Sequence, residues 1–582
     1  MSRARSILHW RFPLRSTPNP FHTRPHPTSP TTPSSTLIYT RYASTASSSS
    51  ENDAAFTRHA AKVEKLSQVV KDFYTSKEKF RIYHGSTNST RPRNHSHKTN
   101  VVDTSPLNEV LSIVSKDNRS HVVVEPNVPM DRLVEATLEH NLIPKVVMEF
   151  PGITVGGGYA GTSGESSSFK HGFFDQTINN IEMVLADGRV VNASTQENPD
   201  LFHGAAGALG TLGITTKVEL QVVPAKRYVE VEYHPVTDVR QALDLISIAT
   251  SDKSVDYIDG ILYSQTSGAI VVGRMVDYPS RPDTPTRTFS RPEDPWFYMH
   301  VQSLLQASSP TSSKPIVELV PLPEYLFRYD RGGFWVGHSA FTHLHFPFTA
   351  RTRRWLDDFL HTRMLYSALH ASGQSRTYLV QDLAMPYESV DEFVKYCDRE
   401  LGIWPLWLCP LKQSRGPTMH PHYPIQQSSV QVEGKQEESE MPLLMNVGLW
   451  GTNPTMSRSY DAFLNANRAL EQKLTDLGGM KWLYAHTYYS KSEFWSQFDE
   501  DWYNNLRKKY GAHGYLPSVY DKVHIDVDAQ KAELNTLKTR LLNIWPLGAA
   551  WGIYKAIQSK SYIEARKAKW RSWQKPTPSS KQ

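Results

Sequence analysis

Apolar residues recur at helical spacing over residues 57–74 (Ala61, Val63, Leu66, Val69, Val70, Phe73), which predicts a surface helix. A strand-like run at 80–84 follows and leads into Gly85-Ser86-Thr87-Asn88-Ser89-Thr90. Short β patterns are expected at 109–114 and 121–125, separated by a turn at Asp117-Asn118, and a helix at 130–141. Further on, 181–185 and 189–192 flank Asp187-Gly188, a hairpin signal. A short helix at 200–204 and a strand at 214–223 complete what reads as one α+β domain, residues 57–226. Residues 227–523 read as a second α+β domain, with strands such as 227–233 and 260–263 and an aromatic run, Ile403-Trp404-Pro405-Leu406-Trp407-Leu408. Its loop at 279–295 is dense in Pro, Arg and Asp, and its segment 413–441 reads as a solvated polar insertion.

The extension 524–582 carries an apolar stretch, LLNIWPLGAAWGIY at 541–554, which Pro546 and Gly548 break and which is too short to span a bilayer. Lys555, Lys560, Arg566, Lys567, Lys569 and Arg571 follow, interleaved with Tyr562, Trp570 and Trp573. Two readings stand side by side. The tail is a peripheral membrane contact, since cations beside tryptophans suit a membrane interface, or an apolar segment docked on the protein with a solvated basic end.

A chain of 582 residues, 39% hydrophobic and 11% aromatic, holds two or three globular domains. Its net charge of +6 resides in the first fifty residues: Arg3, Arg5, Arg11, Arg15, Arg24 and Arg41 occur there without Lys or acid. The remainder balances 58 basic against 58 acidic groups, so no global basic field for nucleic acid exists. Residues 1–50 are either an organellar transit-like leader or a disordered low-complexity extension. Two cysteines, Cys397 and Cys409, make neither a disulfide framework nor a metal site, and no metal is expected.

The chemistry concentrates in FPGITVGGGYAGTSGESSSFKHG, residues 150–172. Six glycines with small hydroxyls are expected to turn with positive φ, bring backbone close to a flat ligand and present N–H groups to phosphate. The literal G-x-G-x-x-G at 156–161 lacks its setting: a dinucleotide fingerprint follows a strand and opens a helix, and 162–168 is poor helix material. A second glycine-rich segment, 207–213, leads into the strand at 214.

These segments, in this order, resemble the FAD-binding domain of the vanillyl-alcohol-oxidase (PCMH-type) superfamily. The run TVGG-x-x-x-GT-x-x-ESSS-x-K-x-G from Thr154 to Gly172 narrows the resemblance to the Delta(24)-sterol reductase family. So do Val380-Gln381-Asp382, Trp407-Leu408-Cys409-Pro410, Leu483-Tyr484-Ala485, Glu493-Phe494-Trp495 and Val519-Tyr520-Asp521-Lys522. Together these cover residues 100–523. The leader, the loop near 83–91, the insertion and the tail depart from the family, whose animal members carry an N-terminal membrane anchor.

The resemblance implies a PCMH-type FAD domain followed by a substrate (cap) domain. FAD would lie against Gly85, Ser86, Thr87, Asn88 and Ser89, against Thr154, Val155, Gly156, Gly157, Gly158, Tyr159, Ala160, Gly161, Thr162, Ser163, Gly164, Glu165 and Ser166, and against Gly210, Gly213 and Ile214. Asn88 falls where covalent relatives carry the histidyl attachment, so the flavin is expected to be non-covalent. NADPH would supply hydride for reduction of a sterol Δ24 double bond, with Lys170, Tyr484 and Tyr488 as candidate acids. Two alternatives remain open: an FAD-linked oxidase or dehydrogenase of a hydroxy acid or sugar alcohol, and a non-catalytic flavin- or sterol-binding protein. The resemblance points to membrane association at the endoplasmic reticulum, and the leader to the mitochondrion.

Overall fold

The computed structural model describes residues 49–85, 100–116, 119–307, 314–414, 416–423, 441–542 and 544–575. Helix α1 (Ser49–Thr75) opens it. His59 ties α1 to the adjoining sheet: its Nδ1 lies 2.9 Å from Glu125 and its Nε2 3.0 Å from Glu182. Strands β1 (Arg81–Tyr83) and β2 (Val101–Asp103) pair in parallel. A six-stranded antiparallel sheet follows, built from β3 (Val110–Val114), β4 (His121–Val124), β5 (Leu142–Pro144), β6 (Ile178–Val184), β7 (Val190–Ser194) and β8 (Ile214–Pro224). Its order is β3-β4-β8-β6-β7, with β5 also on β8. From Ile214 to Val222 every second residue of β8 is buried, the signature of a strand with one face on the core.

Helix α2 (Met130–Leu138) buries Met130, Leu133, Val134, Thr137 and Leu138, a stripe at 3.6-residue period. Helix α3 (Val155–Gly161) occupies the glycine-rich segment and corrects the expectation there. Gly156, Gly157, Gly158 and Gly161 do not adopt positive φ; Thr162, Gly172, Gly207 and Gly210 do. Thr154 caps α3 by accepting from the Gly157 N–H at 3.1 Å. The glycines serve close approach instead. A Cβ on Gly156 would lie 2.6 Å from Pro126, and one on Gly158 2.6 Å from Met148.

The second sheet is antiparallel and eight-stranded, in the order β12-β9-β11-β10-β14-β15-β13-β16. Its strands are β9 (Tyr228–Val236), β10 (Tyr257–Ser264), β11 (Ser267–Val276), β12 (Ile316–Pro321), β13 (Leu379–Pro386), β14 (Leu406–Leu411), β15 (Leu444–Gly451) and β16 (Met480–Lys481). Every residue of β14 and β15 is buried, so both faces of this sheet are covered. On one side, α4 (Val239–Ser251), α7 (Tyr387–Tyr396) and α8 (Tyr460–Asp476) contribute Ile246, Phe393 and Phe463 to a core with Leu408 and Val447. The opposite side looks toward α3, flanked by α5 (Val336–His343) and α6 (Thr362–Ser372).

Helices α9 (Glu500–Lys509), α10 (Val519–Val523), α11 (Leu537–Leu542) and α12 (Leu547–Gln558) are among those that follow the second sheet. The basic end is not a solvated tail: Trp570 is buried against Phe327, and Trp573 Nε1 donates to the Leu138 carbonyl at 3.2 Å. The start of the supposed polar insertion is also packed, with Gln413, Thr418, Met419 and His420 buried. Residues 415 and 424–440 of it lie outside the described residues.

Candidate flavin and substrate cavity

A cavity of about 370 Å³ runs between α3 and the second sheet. Its floor on the first side is Thr154, Gly156, Gly157, Ala160, Gly161, Thr162, Ser163, Gly164 and Glu165, continued by Gly210, Gly213 and Ile214. Val155, Gly158, Tyr159 and Ser166 turn away from it. Tyr159 Oη donates to the Phe202 carbonyl at 2.9 Å, and Ser166 Oγ to Glu149 at 2.8 Å. Gly85, with φ of 85°, sits at the end of β1 without lining the cavity. Ser86, Thr87, Asn88 and Ser89 lie outside the described residues.

Two loops are held open by contacts from the other side of the chain. Thr162, at φ 64°, places Oγ1 2.6 Å from His420 Nδ1, and a Cβ on Gly207 would fall 2.7 Å from that hydroxyl. Thr211 shares a 2.7 Å hydrogen bond with Tyr503 on α9, and Arg507 donates to its carbonyl at 2.9 Å. Lys522 of α10 reaches the cavity beside Gly210 and donates to the Leu209 carbonyl at 2.5 Å. A cation beside backbone N–H groups suits a diphosphate. A backbone floor that side chains cannot occupy, with hydroxyls and one ammonium along its edge, fits a flavin nucleotide.

The opposite wall is aromatic. Val380 and Asp382 (β13), Trp407 (β14), and Asn446 and Trp450 (β15) share one sheet face, because Asp382 and Trp407 both pair with Gly448. Phe334 packs among these rings, tilted against Trp450 at 4.2 Å and edge-on to Trp407 at 5.5 Å. Leu365, Tyr366 and Leu369 of α6 complete the apolar lining.

One polar cluster interrupts this wall. Tyr484 Oη donates to Asp382 Oδ2 at 2.5 Å, and Asn446 Nδ2 donates to Oδ1 at 3.2 Å. Burial raises the Asp382 carboxyl to about 6, against the lowering effect of these two donors. Burial, then the nearby Glu149 and Asp382, pushes Glu165 well above the usual carboxylate range.

Of the three candidate acids, only Tyr484 faces the cavity. Lys170 points outward, 2.9 Å from Asp256 and donating to the Lys253 and Val255 carbonyls. Tyr488 is buried behind the wall, stacked on His486. Asp382, Asn446 and Lys522 carry no site role on sequence pattern alone. The first and last lie inside the Val380-Gln381-Asp382 and Val519-Tyr520-Asp521-Lys522 motifs, whose position is the available signal.

A glycine-walled nucleotide site facing an aromatic chamber defines a flavin-dependent oxidoreductase. Consistently, residues 54–194 match the family described as FAD binding domain. The chain is 28% identical over 419 residues to the Delta(24)-sterol reductase of Homo sapiens, covering 71% of this chain and 76% of that one. It is 30% identical over 444 residues to that of Arabidopsis thaliana, covering 72% and 76%. The chain belongs to the Delta(24)-sterol reductase family.

Proposed function

We propose that this protein reduces the C24–C25 double bond of a sterol side chain, with NADPH as electron donor and FAD bound non-covalently. The observation that carries this reading is the continuity of the cavity from the glycine floor into a chamber walled by Phe334, Trp407, Trp450 and Leu369. Such walls complement an apolar ligand, and among the described residues they offer no guanidinium cluster for the carboxylate of a hydroxy acid. A bound flavin, held by the glycine floor from Thr154 to Glu165, would supply hydride chemistry to the chamber. An isolated alkene then needs a proton at its second carbon. Tyr484 stands in the opposite wall with its hydroxyl on Asp382, a pair able to pass a proton from carboxyl to phenol to carbon.

The test is anaerobic. NADPH should bleach the flavin absorbance of the purified holoprotein, and a Δ24-unsaturated sterol should restore it, with the saturated side chain detected by mass spectrometry. Recovery with oxygen but with no Δ24 sterol would reject this reading in favour of an oxidase. Acid precipitation should leave the flavin in the supernatant; flavin in the pellet would reject non-covalent binding.

A further inference from the structure

Helix α12 is built inside out. Its small residues Gly548, Ala549, Gly552 and Ala556 are buried, and a Cβ on Gly552 would lie 3.1 Å from both the Ala368 carbonyl and Ser372 of α6. Its large residues Leu547, Trp551, Ile553, Tyr554 and Ile557 are exposed. The turn leading into it adds Ile544 and Trp545, the latter 55% exposed, and α11 adds Leu541 and Leu537, the latter at 75%. Trp545 lies 5.2 Å from the ring of His345, which joins this face to the segment after α5, where Phe346 and Trp355 are also exposed. A soluble surface seldom leaves so many large apolar side chains contiguous without a partner.

Charge identifies the partner. No acidic residue occurs in 344–356 or in 535–563, whereas Arg351, Arg353, Arg354, Arg540, Lys555 and Lys560 do, Arg354 lying 3.7 Å from Glu293 outside these segments. The Lys555 ammonium lies over the rings of Trp551 and Tyr554, at 5.0 and 5.7 Å. Tryptophan, tyrosine and lysine around an aliphatic centre match the boundary between lipid headgroups and acyl chains. A second copy docked on the same face would oppose cation to cation.

We propose that this face, formed by α11, α12 and residues 344–355, seats the protein on an anionic bilayer. With 12 residues, α12 is too short to cross the hydrocarbon and lies in the plane of the interface. Among the described residues no helix is long and apolar enough to span a membrane. The helix beneath, α6, carries Leu365, Tyr366 and Leu369 on the cavity wall, so the docked face and the chamber are one helix apart. If the proposed sterol reading holds, substrate would be taken from the membrane at this side.

The experiment is flotation of the full-length holoprotein with phosphatidylcholine vesicles, with and without about one third phosphatidylserine. The wild type should float with the anionic vesicles. W545E/W551E/I557E should reduce the bound fraction by about tenfold or more, with flavin content and thermal midpoint unchanged. R351E/K555E should weaken binding to anionic vesicles while leaving the weaker binding to neutral ones unaltered, and it decides the matter if the triple variant misfolds. Failure of the wild type to float, equal flotation of the folded triple variant, or a dimer that the triple variant dissolves would overturn the proposal. Flotation requires no turnover, so its outcome is independent of the sterol assay.

Discussion

Asp382 and Tyr484 meet at 2.5 Å in an otherwise apolar wall, and burial holds the Asp382 carboxyl near 6. Its proton is thus present below that pH and lost above it. If the pair relays a proton, turnover of the chemical step should fall as pH rises through about 6 and plateau toward acid. Tyr484→Phe should lower kcat by about 10²-fold or more with little change in KM, as expected for loss of general acid catalysis. Asp382→Asn should lower kcat and remove the limb near 6. Glu165→Gln should cost less than about tenfold, because Glu165 ends the flavin floor and has no part in the relay. Single-turnover reoxidation of the reduced enzyme by sterol gives the pH profile of the chemical step, and steady-state turnover gives kcat and KM. A full loss in Glu165→Gln with an active Tyr484→Phe would transfer the acid to Glu165.

At the scale of elements, α3 is a helix that propensity alone would not form: four of its seven residues are glycine, each costing about 1 kcal/mol against alanine. The Thr154 cap and close packing on Pro126 and Met148 hold it. Gly158→Ala should therefore destabilise rather than help. Its Cβ would meet Met148 Cε at 2.6 Å and Phe174 at 3.0 Å, an overpacking cost of about 1–3 kcal/mol. Thermal unfolding of the holoprotein and its flavin content should both fall, and an unchanged midpoint would show that Met148 yields freely.

The same helix shows what the sequence made legible. Its glycine and hydroxyl content announced a wall against a flat ligand, but not its conformation, because the deciding contacts come from Pro126, Met148 and Phe174. Strands with clean alternation, such as β8, were readable to within a residue or two. The chamber was not: Asp382, Trp407 and Trp450 become neighbours only through the pairing of β13, β14 and β15, although Asp382 and Trp450 are 68 positions apart.

Across the whole molecule, Arg328 joins the two halves beneath the cavity. It is buried, and its Nη2 donates to Glu149 from the first part at 2.8 Å and to Asp259 of β10 at 3.0 Å. Tyr329 Oη and Trp407 Nε1 also donate to Asp259 Oδ2, at 2.6 and 3.0 Å, so the network ends in the aromatic wall. Burial, offset in part by Arg328, raises Glu149 to about 7. A carboxyl raised above its unfolded value binds more protons in the native state, so its contribution to stability is full below about 4.5. It diminishes as pH rises to about 7 and is constant beyond. Arg328→Leu removes the cation and leaves two carboxyls buried without it, at a cost of about 3–5 kcal/mol at neutral pH. Glu149 must then hold its proton to higher pH, so the decline in stability extends into the alkaline range. Denaturant unfolding of wild type and Arg328→Leu at pH 5.5 and 8.5 measures this, and the gap between the two should be the wider at pH 8.5. A gap independent of pH would show that Arg328 acts by packing on Tyr325 and Tyr329, its cation–π neighbours at 4.1 and 4.7 Å, rather than by charge.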